Sequence, residues 1–422
     1  MASLRAVKGM NDVLPEEMPR WHRVEDTFRR LTERYGYGEV RTPIVEPTQL
    51  FVRSIGEVTD IVEKEMYTFT DKGEQSLTMR PEGTASAVRA YVQHTVYARE
   101  AVTKWIYLGP MYRRERPAKG RYRQFYQLGA EVYGDPGPYV DAEIIEMLVS
   151  FLRELGVKDV EVLVNSLGGP ETRPAYRDAL VAYLEPHRAD LCPDCQRRLD
   201  KNPLRVVDCK VERDAAIARG APPILDFLAD EDRAHFDGLR QALDALDVPH
   251  TIDTRIVRGL DYYTRTLFEV KGSGGQLGAQ DTLCGGGRYD QLVEELGGPS
   301  TPAIGFAIGI ERLLMVMEEE APPPAADVFV VAAGEALRTD AAVLARDLRA
   351  AGIRADADLR GTSVKSQMRR ADKSGARVAL ILGAEEKARG VVTARDLANK
   401  TQHEVSRGDV VGHVRGSLVG NA

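Results

Sequence analysis

Two hydrophobic periods alternate along this chain, and the places where one gives way to the other mark its elements. Trp21, Val24, Phe28, Leu31 and Tyr35 recur at helical spacing, with Asp12 and Pro15 as a start signal and Gly36 as a stop. Tyr37 to Pro43 reads as a short strand whose proline suits an edge or a bulge. A hairpin is predicted over 66–77, followed by a helix from Ala85 to Val92. Trp105–Tyr112 and Gln124–Tyr133 are strand-like runs. Ile144, Ile145, Leu148, Val149 and Leu152 form one helical stripe between Asp141 and Leu155, and Val160–Asn165 is a strand. From about 169 to 254 the pattern turns helical and polar. Between Ile256 and Val270 the second half alternates as a half-buried strand does.

An acidic run and then a proline run, 318–326, form a linker by composition. Beyond it, Val328–Ala333, Ile353–Ala357 and Val378–Leu382 are strands, and Ala341–Ala351 and 363–374 are helices. Such alternation predicts a small α/β domain with a largely parallel sheet.

Composition narrows the class. At 422 residues, 43% hydrophobic and 29% charged, the chain is globular and long enough for two or three domains. No apolar run approaches the ~18 residues of a membrane span, and the first residues lack a signal-peptide core. Four cysteines make no disulfide scaffold, so a reducing, cytoplasmic setting is expected. The net charge of −7 is unevenly spread: residues 327–422 hold 16 Lys and Arg against 12 Asp and Glu, while the rest stands at −11. An acidic body with a basic end points to nucleic acid as a partner for that end.

Three stretches carry candidate chemistry. Ile256–Val270 crowds Arg258, Asp261, Tyr262 and Tyr263 around a Gly-Leu turn, pairing a fixed cation with hydroxyl-tipped rings. An amphipathic strand with a surface Arg–Asp pair would also read this way. Leu77 to Thr84 puts Glu82 and Thr84 on either side of Gly83 at the head of a helix. They are there either to receive a substrate ammonium or to cap, with Thr84 as N-cap and Glu82 in solvent. Arg113–Arg123 is a hairpin loop in which six of eleven residues are Lys or Arg. Such a loop repels itself unless an anion compensates it, and arginine meets phosphate oxygens in pairs. Gln127 and Glu131 share the pleat face of Phe125 on the strand that follows. Three successive glycines at 285–287 bring backbone close to a neighbour. There is no Gly-Lys dipeptide, which excludes a P-loop. Cys192, Cys195 and Cys209 offer three thiols, but structural zinc takes four ligands and only His187 or His235 is expected to supply the fourth. They are therefore read as reduced, non-ligand cysteines, with no metal and structural zinc not expected.

Arg-Gly-Leu-Asp-Tyr-Tyr at 258–263 and Cys-Gly-Gly-Gly-Arg-Tyr-Asp at 284–290 resemble the two signature segments of histidyl-tRNA synthetases. Tyr37–Pro43, Arg113-Arg114-Glu115 and Ala303–Leu314 resemble the three class II synthetase motifs, in family order. The class I signatures are absent. The resemblance implies an α+β catalytic domain on an antiparallel sheet over 1–325, with a helical insertion at about 170–254. It also implies the 318–326 linker and an anticodon-binding domain over 327–422. It implies ligation of L-histidine to tRNA(His) through a histidyl-adenylate, with ATP and Mg2+, in a homodimer. Arg113 would grip the ATP α-phosphate and the histidine carboxylate, opposite Arg258. Glu115 completes the Arg-x-Glu pattern. Arg121 and Arg312 would meet the distal phosphates, and Tyr122 and Phe125 the adenine. Glu82, Thr84 and Gln127 would hold the ammonium, Glu131 and Tyr263 the imidazole, with Tyr262 and Tyr289 walling the pocket. On the 363–374 helix, Lys365, Arg369, Arg370 and Lys373 share a face suited to tRNA phosphates. A catalytically silent paralogue, the regulatory subunit of ATP phosphoribosyltransferase, is the alternative.

Overall fold

The computed structural model describes residues 4–56, 59, 61–257, 260–272, 282–318 and 324–419. Two compact units divide the chain, Met1–Glu319 and Glu320–Ala422. Arg258, residues 273–281 and the 319–323 part of the linker lie outside the described residues.

The first unit holds β1 (Gly38–Glu39), β2 (Val45–Pro47), β3 (Tyr67–Thr70), β4 (Ser76–Met79), β5 (Thr103–Tyr112), β6 (Gln124–Tyr133), β7 (Val160–Ser166), β8 (His250–Ile252), β9 (Thr264–Gly272), β10 (Thr282–Arg288) and β11 (Ala303–Gly309). Eight of them form one sheet in the order β1-β5-β6-β11-β10-β9-β7-β8, and β2-β4-β3 form a small second sheet. The large sheet is antiparallel across its centre. Its two edge pairs, β1 with β5 and β7 with β8, are parallel, so the sheet is mixed where an antiparallel one was expected. The expected strand at 37–43 shrinks to the two residues of β1, and it is an edge strand.

Helices Met18–Arg34, Pro138–Glu154 and Asp230–Ala245 lie on one face of this sheet. Their Phe28, Leu31, Leu148, Phe151, Leu239 and Leu243 pack on Leu128, Ala130, Val132, Phe268, Ile304 and Phe306. Because strand side chains alternate, Gln127, Gly129 and Glu131 of β6 point to the opposite face. A core on one face thus fixes which residues line the other. Arg288 and Asp141 join the sheet to the second helix: both are fully buried, with Arg288 Nη2 2.8 Å and Nε 2.9 Å from the carboxylate. Thr266 donates to the same carboxylate at 2.5 Å. A buried charge pair needs such contacts to offset the cost of its desolvation. Between β7 and β8 the chain is chiefly helical, from Thr172 to Ala245.

The second unit holds β12 (Val328–Ala332), β13 (Ala355–Ala357), β14 (Val378–Leu382), β15 (Val391–Asp396) and β16 (Gln402–Ser406), in the order β13-β12-β14-β15-β16. The three strands seen in the sequence pair in parallel. The two missed ones add an antiparallel hairpin, so the sheet is mixed, not largely parallel. In β16 only Val405 is buried, which leaves too little hydrophobic alternation to announce a strand.

Candidate active site

On the open face of the large sheet, β6, β10 and β11 floor a pocket closed by the loop after β5 and the stretch before β9. Glu82, at its edge, is buried. Its carboxylate accepts from the backbone N–H of Thr84 at 2.7 Å and of Ala85 at 2.8 Å. Capping therefore does occur at helix Thr84–Gln93, but Glu82 performs it and is not in solvent. Thr84 turns its hydroxyl the other way, donating to Glu131 Oε1 at 2.8 Å. Glu131 Oε2 accepts a hydrogen bond from the Tyr289 hydroxyl. Glu131 thus lies just beneath the lining, with no exposed surface. Burial, partly offset by those hydroxyls, lifts its carboxyl to about 8. Burial likewise raises Glu82, opposed by the two backbone donors.

Gln127, Tyr262, Tyr263 and Tyr289 line the same end. Tyr262 packs at 4.7 Å from Tyr263 and edge-on at 5.6 Å from Tyr289, ring to ring. Gln127 Oε1 is buried and has no hydrogen-bond partner among the described residues. Such an orphaned acceptor is costly unless a ligand donor completes it.

At the other end the lining is cationic. Arg113 Nε donates to the Pro81 carbonyl at 2.9 Å, and its guanidinium lies 5.3 Å from the Phe125 ring centre. Anchored through Nε and one face, it keeps its remaining donors in a fixed direction. Arg121 lies 3.6 Å from Glu115. Arg312, at the start of helix Ile310–Val316, donates to the carbonyls of Gly120 at 3.2 Å and Thr282 at 3.0 Å, and so ties the basic loop to β10. Tyr122 and Phe125 complete this end.

The glycines permit the close fit. A Cβ on Gly305 would come 1.6 Å from Glu131 Oε2, and one on Gly83 2.2 Å from the Tyr107 ring. Gly83 thus stands behind the pocket as a point of close approach. The run at 285–287 meets neighbouring backbone: a Cβ on Gly286 would sit 2.4 Å from the Gly305 carbonyl, and one on Gly287 2.5 Å from that of Thr266. Sequence reasoning missed Tyr107, whose hydroxyl is 3.5 Å from Thr84 Oγ1. It also missed Glu311, which lines the pocket, accepts from the Tyr126 N–H, and is raised by burial to about 7. Glu311 adjoins Arg312 in sequence, which was the available signal.

In the second unit, Lys365, Arg369 and Lys373 form an exposed stripe on helix Val364–Ser374. Arg370 does not join them. It binds Asp358 at 2.8 Å and lies over Phe329 at 5.4 Å. In the first unit, Cys192, Cys195 and Cys209 converge with Asp214. The expectation that only a histidine could complete a fourfold set is therefore corrected: His187 lies against Tyr183, and His235 is buried near Asp141.

A mostly antiparallel sheet with an arginine-rich hairpin between its two longest strands, and a strand-turn-helix carrying Arg312, is the architecture of a class II aminoacyl-tRNA synthetase. The family model described as histidyl-tRNA synthetase matches residues 9–171 and 208–313, and that of the anticodon binding domain matches 327–416. A histidine–tRNA ligase from Sorangium cellulosum is 56% identical over 402 residues, covering 95% of this chain and 94% of its own. Another from Halothermothrix orenii is 47% identical over 412 residues, covering 97% and 98%. The apo histidyl-tRNA synthetase of S. aureus has a TM-score of 0.83 at 36% identity, covering 98% of this chain and all of that one. The chain belongs to the histidyl-tRNA synthetase family.

Proposed function

We infer that this chain is a histidine–tRNA ligase that activates L-histidine with ATP and transfers it to tRNA(His). The histidine carboxylate attacks the α-phosphorus, pyrophosphate leaves, and a hydroxyl of the tRNA's terminal adenosine then attacks the acyl carbon and expels AMP. Displacement of this kind is catalysed chiefly by positioning and by charge placed where it develops. The observation that carries the reading is a pocket with two unlike ends. Arg113, Arg121 and Arg312 suit polyphosphate, while the unpartnered Gln127 Oε1 and the three tyrosines suit an ammonium and an aromatic ring.

In this reading Arg113 and Arg258 grip the α-phosphate from two sides, and Arg121 and Arg312 hold the distal phosphates. Tyr122 and Phe125 sandwich the adenine. Glu82, Thr84 and Gln127 take the ammonium. Tyr263 and Glu131 read the ring nitrogens, Glu131 once the ligand displaces the Thr84 or Tyr289 hydroxyl that covers its carboxylate. Sites built on such bonds reject analogues lacking a partner by about 10⁴-fold or more, so no editing step is needed. ATP enters with magnesium, and Glu115 and Glu311 are oxygen donors of the kind that hard cation takes. We also propose a cytoplasmic homodimer, whose mass light scattering would report.

The alternative, a silent regulatory paralogue for ATP phosphoribosyltransferase, would lack an anticodon-binding unit, and residues 327–416 match one. Pyrophosphate exchange into ATP, without tRNA, separates the two. Exchange with histidine alone among the amino acids supports the ligase; none, with histidine still bound, supports the paralogue. Arg258→His is expected to slow exchange by roughly 10²-fold or more with histidine affinity nearly unchanged. An unchanged rate would remove Arg258 from the mechanism.

A further inference from the structure

Three of the four cysteines gather far along the chain from the catalytic motifs. Cys192 and Cys195 sit at the start of helix Pro193–Lys201, and Cys209 and Asp214 flank the start of helix Glu212–Ala218. One ligand atom from each of the four residues lies within 4.8 Å of the others. Cys195, Cys209 and Asp214 are buried, and Cys192 is half-buried. A tetrahedral zinc centre with Zn–S bonds near 2.3 Å places its sulfurs about 3.8 Å apart, so the cluster needs little movement to close.

Backbone N–H groups are aimed at two of the four ligands. The Cys192 N–H donates to both Asp214 oxygens, at 3.2 and 3.0 Å, and the Val211 N–H points at Cys209 Sγ from 3.4 Å. Backbone donors aimed at thiolate and carboxylate ligands are the outer support that metal sites require. Among the described residues, the guanidinium set against Asp214 is that of Arg213, itself 59% exposed and 4.0 Å away. Asp214 is fully buried and also accepts from the Cys209 thiol at 3.5 Å, so a bound cation would take the place of a thiol proton as the partner of its charge.

We propose that Cys192, Cys195, Cys209 and Asp214 bind one divalent thiophilic cation, Zn2+, which pins the helical segment between β7 and β8. Binding releases the three thiol protons to solvent. The pin bears on catalysis indirectly. Helix Pro193–Lys201 leads to Asn202, whose Nδ2 donates to Asp261 Oδ1 at 3.0 Å, and Arg205 Nε is 3.8 Å from the same carboxylate. Asp261 immediately precedes Tyr262 and Tyr263 at the pocket. The cluster is thus a positioning device for the stretch before β9 that carries those rings.

The test is the metal content of the full-length, untagged protein purified without chelator, followed by Co2+ replacement. Stoichiometric zinc, with thiolate-to-cobalt charge-transfer bands and the ligand-field bands of tetrahedral Co2+, is expected. Cys195→Ser should lose the metal, and the near-isosteric Asp214→Asn should weaken it by about tenfold or more. Zinc-free protein should show a raised KM for histidine with a smaller change for ATP. Native protein that takes up neither zinc nor cobalt, or variants that keep both at native affinity, would overturn the proposal. Because native protein and Asp214→Asn give answers by themselves, a misfolded Cys195→Ser would not blunt the test.

Discussion

Glu131 has no contact with water, accepts from two hydroxyls, and faces a glycine across the sheet. Its carboxyl is raised by burial to about 8, whereas in an unfolded chain it titrates near 4.3. Below pH ~4 both states hold the proton and folding is not penalised. As pH rises towards 8 the unfolded chain ionises while the folded one does not, so stability falls by about 1.4 kcal/mol per pH unit across that window. Glu131→Gln lacks the titration. The Tm of the ligand-free native protein should therefore fall relative to the variant's between pH 5 and 8; parallel curves would mean that the carboxylate is already ionised. That Gln127 and Glu131 share a face with Phe125 was legible from the two-residue period of a strand. How deep Glu131 lies was not, since its depth depends on Gly305, more than 170 positions away.

Strands show the same limit. The glycine run at 285–287 announced a close approach, and the antiparallel register reveals what is approached: Gly287 stands opposite both Leu267 and Gly305. Gly305→Ala would drive a methyl into the Glu131 carboxylate, and a shift of about 1 Å in such a group costs roughly 10²-fold in kcat/KM for histidine. Gly38→Ala, where an added Cβ meets nothing within 4 Å, should leave exchange kinetics unchanged. Near-native activity for the first variant would show that the floor can relax. Long periodic helices and the β5–β6 hairpin were readable because one face of each is buried. β8 and β16 were not, being short and mostly polar at the sheet edges. Asp214 escaped for a different reason: nothing in the sequence separates one buried carboxylate from the many on the surface.

Across the molecule, charge is apportioned by unit, and the basic balance of the second one was countable in the sequence. Which cations are available was not, because Arg370 is drawn to Asp358 by the fold of its own unit. Replacing Lys365, Arg369 and Lys373 together by alanine should weaken tRNA binding. It should also flatten the dependence of affinity on salt by about one logarithmic unit of slope for each phosphate no longer neutralised. Titrating tRNA into the triple variant at several salt concentrations checks this, and histidine-dependent pyrophosphate exchange without tRNA should be untouched. Arg370→Ala should instead lower the stability of its unit. The pocket, too, is divided between kinds of backbone. The end suited to histidine is floored by central strands locked on both sides, whereas the end suited to phosphate hangs on a hairpin loop. Anyone wishing to make the enzyme accept another amino acid would gain little by diversifying that loop. The variable positions worth randomising are Tyr262 and Tyr263, which enter from the sheet's margin and can change shape without unpicking a strand.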